Sequence, residues 1–187
     1  MPATVGIRGA RLDDAAPLVR LYQADRDHLR RWVPERDDSF FTPKGQTDDL
    51  RGLLEAQAAR KLWPGVVLVD GAVAGRVTLD NILRGPMQSC LVGYWVARAH
   101  TGRGVATEAV RQVLDLAFRH LRLHRVEACT RVDNLASQRV LDHNGFRLVG
   151  TARRHFYAEG RWHDERVFER LAPWDDGVSL FPRPDLG

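Results

Sequence analysis

The stretch from Val96 to Glu108 decides the fold, and it reads Val-Ala-Arg-Ala-His-Thr-Gly-Arg-Gly-Val-Ala-Thr-Glu. The residues before it are typical of a strand, and apolar residues at helical spacing follow it. Two glycines in the connecting loop, Gly102 and Gly104, let consecutive backbone N–H groups converge on one point, and the start of a helix favours an anion there. The junction therefore predicts either a cradle for a phosphate group or a tight strand-to-helix turn. It has neither the Gly-Lys-Ser/Thr of a P-loop nor the full glycine pattern of a dinucleotide fold.

Downstream of this junction the periodicity alternates between helix and strand. An apolar stripe from Ala106 to Leu121 predicts a helix. A strand over Arg125–Thr130 follows, and then a helix over 135–144 with Asn134 as its N-cap and Gly145 at its end. Two strands, about Arg147–Tyr157 and Arg161–Leu171, are joined at Glu159-Gly160.

Upstream, the chain begins with a short strand over Val5–Arg8 and a helix that starts at Asp13-Asp14 and ends near Asp27. A polar run punctuated by Pro34 and Pro43 leads to a second helix from Thr47 to Lys61. Strands over Val66–Val69 and Val73–Ile82, joined by the turn Asp70-Gly71, predict a hairpin. A third strand over Cys90–Val96 completes the antiparallel run.

This order of elements predicts the fold class. We expect an α/β (α+β) fold with a mixed, mostly antiparallel central sheet of about seven strands, flanked by about four helices. The 187 residues suit a single domain, which we place at residues 1–174. The Pro-, Gly- and Asp-rich residues 175–187 are expected to form an irregular tail.

Composition excludes several classes of protein. Hydrophobic residues make up 44% of the chain and charged residues 28%, as in a folded soluble domain. No apolar run is long enough to span a membrane and no export signal is evident, so we expect a cytoplasmic protein without a membrane partner. The net charge is +4, but the arginines are scattered, so nucleic acid is not expected as a substrate. Cys90 and Cys129 are isolated and expected to be reduced, and the seven histidines lack metal-ligand spacing, so no metal is expected.

Two motifs about 30 residues apart resemble those of the GNAT superfamily of N-acetyltransferases. Its pyrophosphate-binding loop, Gln/Arg-x-x-Gly-x-Gly/Ala, is here Thr101-Gly102-Arg103-Gly104-Val105-Ala106, in which Thr101 departs from the pattern. The second motif, Asn134-Leu135-Ala136-Ser137, is similar to the family's strand-helix junction that contacts the pantetheine arm.

Further segments resemble the ribosomal-protein N-acetyltransferase (RimJ/RimL-like) branch of that superfamily. They are His28–Pro34, Gly93–Val96, Ala106–Ala109, Gly160–Asp164 and the ending at Trp174, so the resemblance covers about Val5 to Trp174. It implies the GNAT fold, a homodimer, and direct attack of an amine on the thioester of acetyl-CoA, with positioning as a main source of acceleration.

The resemblance also implies the cofactor-binding residues. No metal takes part, and backbone N–H groups of the strand Gly93–Ala97 would polarise the thioester carbonyl. The residues assigned to acetyl-CoA are Val96, Thr101, Gly102, Arg103, Gly104, Val105, Ala106, Thr107, Asn134 and Ser137.

The catalytic groups are less constrained by the motifs. Many superfamily members protonate the leaving thiolate with a helix tyrosine, but that position here is Leu141, so we assign Ser137, which otherwise caps its own helix. Leu91 and Phe156 occupy positions where relatives often carry Glu. The candidate base is His155, or else this is a surface histidine; the alternatives are Tyr157, the loop carboxylates Glu35, Asp37 and Asp38, and a chain of water molecules.

The acceptor side is assigned to Trp32, Glu35, Tyr94 and Tyr157, with Asp37 and Asp38 in the same loop. The sequence thus predicts transfer of an acetyl group from acetyl-CoA to a primary amine, for which the resemblance implies a protein N-terminal α-amine. The alternatives are an acetyltransferase for a small-molecule amine or antibiotic, and a non-catalytic acyl-CoA-binding domain.

Overall fold

The computed structural model describes residues 3–180, which form one seven-stranded mixed sheet with helices on both faces. The strands are β1 (Val5–Gly9), β2 (Trp63–Val69), β3 (Ala72–Leu83), β4 (Ser89–Val96), β5 (Arg125–Arg131), β6 (Arg147–Ala158) and β7 (Arg161–Leu171). The helices of the described residues are α1 (Ala15–Ala24), α2 (Arg26–Leu29), α3 (Pro43–Ala58), α4 (Val105–Asp115) and α5 (Leu135–His143). The predicted fold class, a mixed and mostly antiparallel central sheet of about seven strands flanked by helices, is confirmed.

The sheet is nearly divided in two at its centre. The strand order is β1-β2-β3-β4-β5-β7-β6, and all neighbours are antiparallel except β4 and β5. These two parallel strands are in register only over Ser89–Leu91 and Arg125–Glu127. Because pairing stops there while both strands continue, a gap opens between their carboxyl-terminal halves.

Local turn chemistry fixes both predicted hairpins. Asp70 and Gly71 have φ of 49° and 82°, and Glu159 and Gly160 have φ of 51° and 73°. Two consecutive residues with positive φ match the right-handed twist of the strands that they connect. The hairpins β2–β3 and β6–β7 therefore lie where the sequence placed them.

The core has one apolar layer on each face of the sheet. On one face, the predicted stripe of α4 buries Ala109, Val110 and Val113 completely against the sheet. On the other face, Leu18 of α1 and Leu50 of α3 are equally buried. Side chains of β4 alternate between the two layers, so the strand beside the gap is held from both sides.

Three helix boundaries differ from those expected. The second long helix begins at Pro43 instead of Thr47, because Thr42 is its N-cap and accepts from the Gly45 N–H at 3.1 Å, while proline suits a first turn. The first helix stops at Ala24, and the separate short α2 follows, which raises the helix number to five. The stripe of α4 ends in a π-helical turn over Leu116–His120.

The chain ends were interpreted from composition alone. Among the described residues, 175–180 contain neither helix nor strand, and 181–187 lie outside the described part, so the division into a domain of residues 1–174 and a tail of 175–187 stays a prediction. Within residues 3–180, no helix is long and apolar enough to cross a membrane.

Candidate active site

A cavity of about 670 Å³ fills the gap between β4 and β5. The loop before α4 and the start of α5 border one part of it, and residues of α2, β6 and β7 border the other. The predicted site residues that line it are Trp32, Tyr94, Val96, Thr101, Gly102, Gly104, Val105, Ala106, Thr107, Asn134 and Ser137. Arg103, Glu35, His155 and Tyr157 lie outside this lining.

The loop before α4 has the geometry of an anion site. Gly102 and Gly104 have φ of 70° and 75°, and Gly104 is the N-cap of α4, so no N-cap side chain occupies the helix start. Val105, Ala106 and Thr107, whose N–H groups form the first helical turn, all line the cavity. A Cβ on either glycine would meet no atom within 4 Å, so glycine is required here for its backbone conformation. An uncapped helix start that faces a cavity fits the pyrophosphate of a coenzyme A group.

The free edge of β4 supplies backbone donors in the middle of the cavity. The Ala97 N–H bonds the Ala74 carbonyl at 2.8 Å, and backbone groups alternate along a strand. The N–H groups of Val96 and Tyr94 therefore point away from β3 and into the gap. Donors fixed in this way can polarise a carbonyl without any reorganisation.

A pair of hydroxyl groups closes the floor of the cavity between β4 and α5. The Asn134 side chain accepts from the Ser137 N–H at 3.1 Å, which confirms Asn134 as the N-cap. The Ser137 Oγ does not cap the helix and instead lies 2.8 Å from the Tyr94 hydroxyl. Burial raises the pKa of Tyr94 to about 12, so this phenol remains protonated at neutral pH. Tyr94, assigned to the acceptor from the sequence, thus contacts the residue assigned to the leaving group.

On the acceptor side, a buried carboxylate that the sequence analysis missed contacts the candidate base. Glu165 of β7 is 8% exposed, lines the cavity, and lies with its Oε2 2.7 Å from Nδ1 of His155. A bulge in β6 between Ala152 and Phe156, with Arg154 at φ 49°, brings His155 onto this carboxylate. In the sequence Glu165 is one of three consecutive charged residues, and only the register of β7 shows which of them faces the cavity.

Arg131 joins the segments that wall the acceptor side. Its buried guanidinium donates to Asp133 at 2.9 Å, to Glu159 at 3.1 Å and to the Arg31 carbonyl at 3.1 Å. The same group lies 5.3 Å from the centre of the Trp32 ring. The segment after α2 is thereby tied to the β6–β7 turn.

The remaining acceptor candidates lie around that turn. Glu35 accepts from the Gly160 N–H at 3.2 Å, and the half-exposed Tyr157 packs edge-on against Trp162 with ring centres 5.4 Å apart. Asp37 caps the turn before α3, and Asp38 pairs with Arg26. None of these three carboxylates lines the cavity.

The two cysteines differ in their access to the cavity. Cys90 is buried in the core, whereas Cys129 of β5 lines the cavity. Burial raises the pKa of the Cys129 thiol to about 11, so it is protonated at neutral pH and a poor nucleophile. Ligand atoms of Cys129, His155 and Glu165 lie within 4.8 Å of one another. The expectation of a reaction without metal stays a prediction.

Comparisons with known proteins agree with this geometry. A family model described as an acetyltransferase (GNAT) domain matches residues 4–147. The probable N-acetyltransferase YjcK of Bacillus subtilis (strain 168) is 35% identical, and the match covers 92% of this chain and 97% of YjcK.

Solved structures are similar over nearly the whole chain. RimJ of Mycobacterium smegmatis in complex with CoA-disulfide has a TM-score of 0.88 and 35% identity, covering 90% of this chain and 82% of that one. The ribosomal-protein-S5-alanine acetyltransferase of Vibrio fischeri has a TM-score of 0.87 and 29% identity, covering 96% of both chains.

Proposed function

The chain belongs to the GNAT family of acetyltransferases and is an acyl-CoA-dependent N-acetyltransferase, and from this premise we propose that its acceptor is a protein N-terminal α-amine. The observation that carries the proposal is one continuous cavity with an anion site at its α4 end and a buried carboxylate, Glu165, on its acceptor side. Two similar solved structures are described as RimJ with CoA-disulfide and as an S5-alanine acetyltransferase, which favours a peptide amine as the acceptor.

The cofactor half of the site is formed by backbone atoms. The first-turn N–H groups of Val105, Ala106 and Thr107 would hold the pyrophosphate, and the free edge of β4 would align the pantetheine arm. Acetyl-CoA, when bound, supplies the acetyl group as a thioester. The N–H groups of Tyr94 and Val96 would donate to its carbonyl oxygen and polarise it.

The acceptor amine must lose a proton before or during attack. Glu165 and His155 form a hydrogen-bonded pair, and the carboxylate of Glu165 lies in the cavity. We therefore assign the pair to accept that proton. In this proposal the pair takes the role that the family resemblance would give to glutamates at the positions of Leu91 and Phe156. Cys129 is assigned no covalent role in this proposal, in which the amine attacks the thioester directly.

The departing sulfur needs a proton of its own. Ser137 Oγ and the Tyr94 hydroxyl are hydrogen-bonded at 2.8 Å on the cofactor side, away from Glu165. We assign this pair as the donor, with Ser137 next to the sulfur and Tyr94 behind it. Acid and base are thus different pairs of residues on different elements around the cavity, so each of the two proton transfers has a group of its own.

The acceptor surface suits a peptide. Tyr157 and Trp162 are cross-strand partners on the face of the β6–β7 hairpin away from Phe156. The aromatic side chains that border the acceptor part of the cavity are Trp32 and Phe156. A peptide would lay its first side chains on this surface while its α-amine reaches Glu165. The resemblance to ribosomal-protein modifiers also favours a homodimer in the cytoplasm, which analytical ultracentrifugation and cell fractionation would test.

The deciding experiment compares kcat/KM for a panel of amines, with the release of the CoA thiol and the mass of the acetylated product as readouts. The panel contains peptides with a free N-terminal Ala or Ser, the same peptides with a blocked N-terminus and an internal lysine, and free amino acids and small amines. We expect kcat/KM to be highest for the free N-terminal peptides. Equal or higher kcat/KM for small amines would overturn the peptide assignment.

A further inference from the structure

We propose that Cys129, His155 and Glu165 form a binding site for a zinc ion, which blocks the acceptor side of the cavity. A thiolate, an imidazole and a carboxylate are the ligand types that zinc takes in proteins. Their ligand atoms already lie within 4.8 Å of one another, and the His155–Glu165 contact is 2.7 Å. Zinc–ligand bonds of about 2.0–2.3 Å require only small side-chain shifts from these separations.

The three ligands come from three adjacent strands, so the backbone holds them in place. Glu165 pairs with Arg131 across β5 and β7, and Cys129 lies two residues before Arg131. Side chains two residues apart share a face of a strand, so Cys129 and Glu165 are diagonal neighbours. The β6 bulge brings His155 to the same carboxylate.

The site is accessible and leaves one coordination position free. Cys129 and Glu165 line the cavity, and His155 is about half exposed, so an ion can enter from the cavity or from the surface. With three protein ligands, a fourth position remains for water or for the acceptor amine. On binding, the Cys129 thiol releases its proton to solvent and its sulfur bonds to the zinc.

This inference rests on the proposed function only for its effect on activity. Zinc held by His155 and Glu165 removes the pair assigned to accept the amine proton. Micromolar zinc is therefore expected to inhibit acetyl transfer, and a chelator to restore it. The hard ions magnesium and calcium are not expected to inhibit, because they prefer oxygen ligands.

The test titrates cobalt(II), as a coloured substitute for zinc, into the full chain without acetyl-CoA or amine. We expect a sulfur-to-cobalt charge-transfer absorption that is abolished in Cys129→Ser. In His155→Ala the apparent affinity for cobalt should fall at least about tenfold, since loss of a direct ligand costs no less than loss of an outer hydrogen-bond partner. Cys90→Ala and His143→Ala are the matched controls, since Cys90 is buried elsewhere and His143 lines the cavity outside this cluster. Both controls should keep the absorption.

Two results overturn the proposal: wild-type protein without the charge-transfer absorption, or an absorption that disappears in Cys90→Ala and persists in Cys129→Ser. Zinc inhibition, scaled to the metal-free rate of each variant, should require about tenfold more zinc in Cys129→Ser. Because cobalt is read on protein alone, a failure of the peptide assignment leaves this measurement intact.

Discussion

Removal of the Tyr94–Ser137 hydroxyl pair tests how the leaving sulfur receives its proton. Ser137→Ala deletes the Oγ that lies 2.8 Å from the Tyr94 hydroxyl but keeps the backbone N–H that Asn134 caps. Tyr94→Phe deletes the other partner. A general acid contributes about 10²–10⁴-fold, so kcat should fall by about 10² in each variant, while the KM for acetyl-CoA changes little.

The magnitudes separate a catalytic role from a structural one. A hundredfold fall in kcat corresponds to about 2.7 kcal/mol in the barrier, whereas one lost neutral hydrogen bond costs about 1 kcal/mol of unfolding free energy. Because the two hydroxyls act as a unit, the double variant should be no slower than the worse single variant. Single-turnover kinetics and urea unfolding measure the two quantities.

Tyr22→Phe provides the matched control. The Tyr22 hydroxyl is also buried and accepts from Trp95 Nε1 at 3.0 Å, but on the other face of the sheet. The Tyr22→Phe variant should lose about as much unfolding free energy as Ser137→Ala and keep the wild-type kcat. Our reasoning is refuted if Ser137→Ala keeps kcat within about twofold while its stability falls, since Ser137 would then be structural.

Three further outcomes are expected. Gly104→Val should weaken acetyl-CoA binding measured by calorimetry, because a β-branched residue resists φ near 75°, while Gly71→Val, equally strained but in the β2–β3 turn, should spare binding. Glu165→Gln should lower kcat while the KM for acetyl-CoA stays unchanged. Glu169→Gln, also buried on β7 but outside the cavity lining, should leave kcat unchanged, and equal effects of both variants would refute the assignment. Burial raises the pKa of the Cys90 thiol from 9.0 to about 12. Its contribution to the free energy of unfolding is therefore fully present below pH 9 and is lost as the pH rises, by about 2 kcal/mol at about pH 10.5. Burial also raises the pKa of Cys129 and Tyr94, so every variant loses some stability at that pH. Urea unfolding at about pH 9 and at about pH 10.5 should show a loss that is about 2 kcal/mol smaller in Cys90→Ala than in wild type.

The cofactor half of the site could be predicted from the sequence because its determinants are local. Gly102 and Gly104 adopt left-handed backbone conformations before a helix, and Asn134 caps the next one, so each motif specifies its own geometry within a few residues. The hairpin turns were predictable for the same reason.

The proton-transfer groups could not be predicted, because they depend on contacts between distant strands and helices. Tyr94 meets Ser137 across 43 residues of sequence, and Glu165 meets His155 only because a bulge in β6 shifts the register. Neither contact leaves a spacing signal. The start of α3 differs from the expected one for a smaller reason: a proline in a polar run is typical of a break, but it also suits the first helical turn, where Pro43 lies.

Strands β4 and β5 are paired over only three residues each, and this should decide which part of the sheet opens first. Beyond Leu91 and Glu127 neither strand has the other as a ladder partner, so their amides facing the gap should exchange with deuterium faster than those of the continuous hairpins. Acetyl-CoA in the gap would bond the β4 edge and slow this exchange. The ligand would then connect the two halves of the sheet at the place where β4 and β5 are unpaired. The acetyl-CoA concentration would therefore change the local opening of the sheet more than it changes global unfolding.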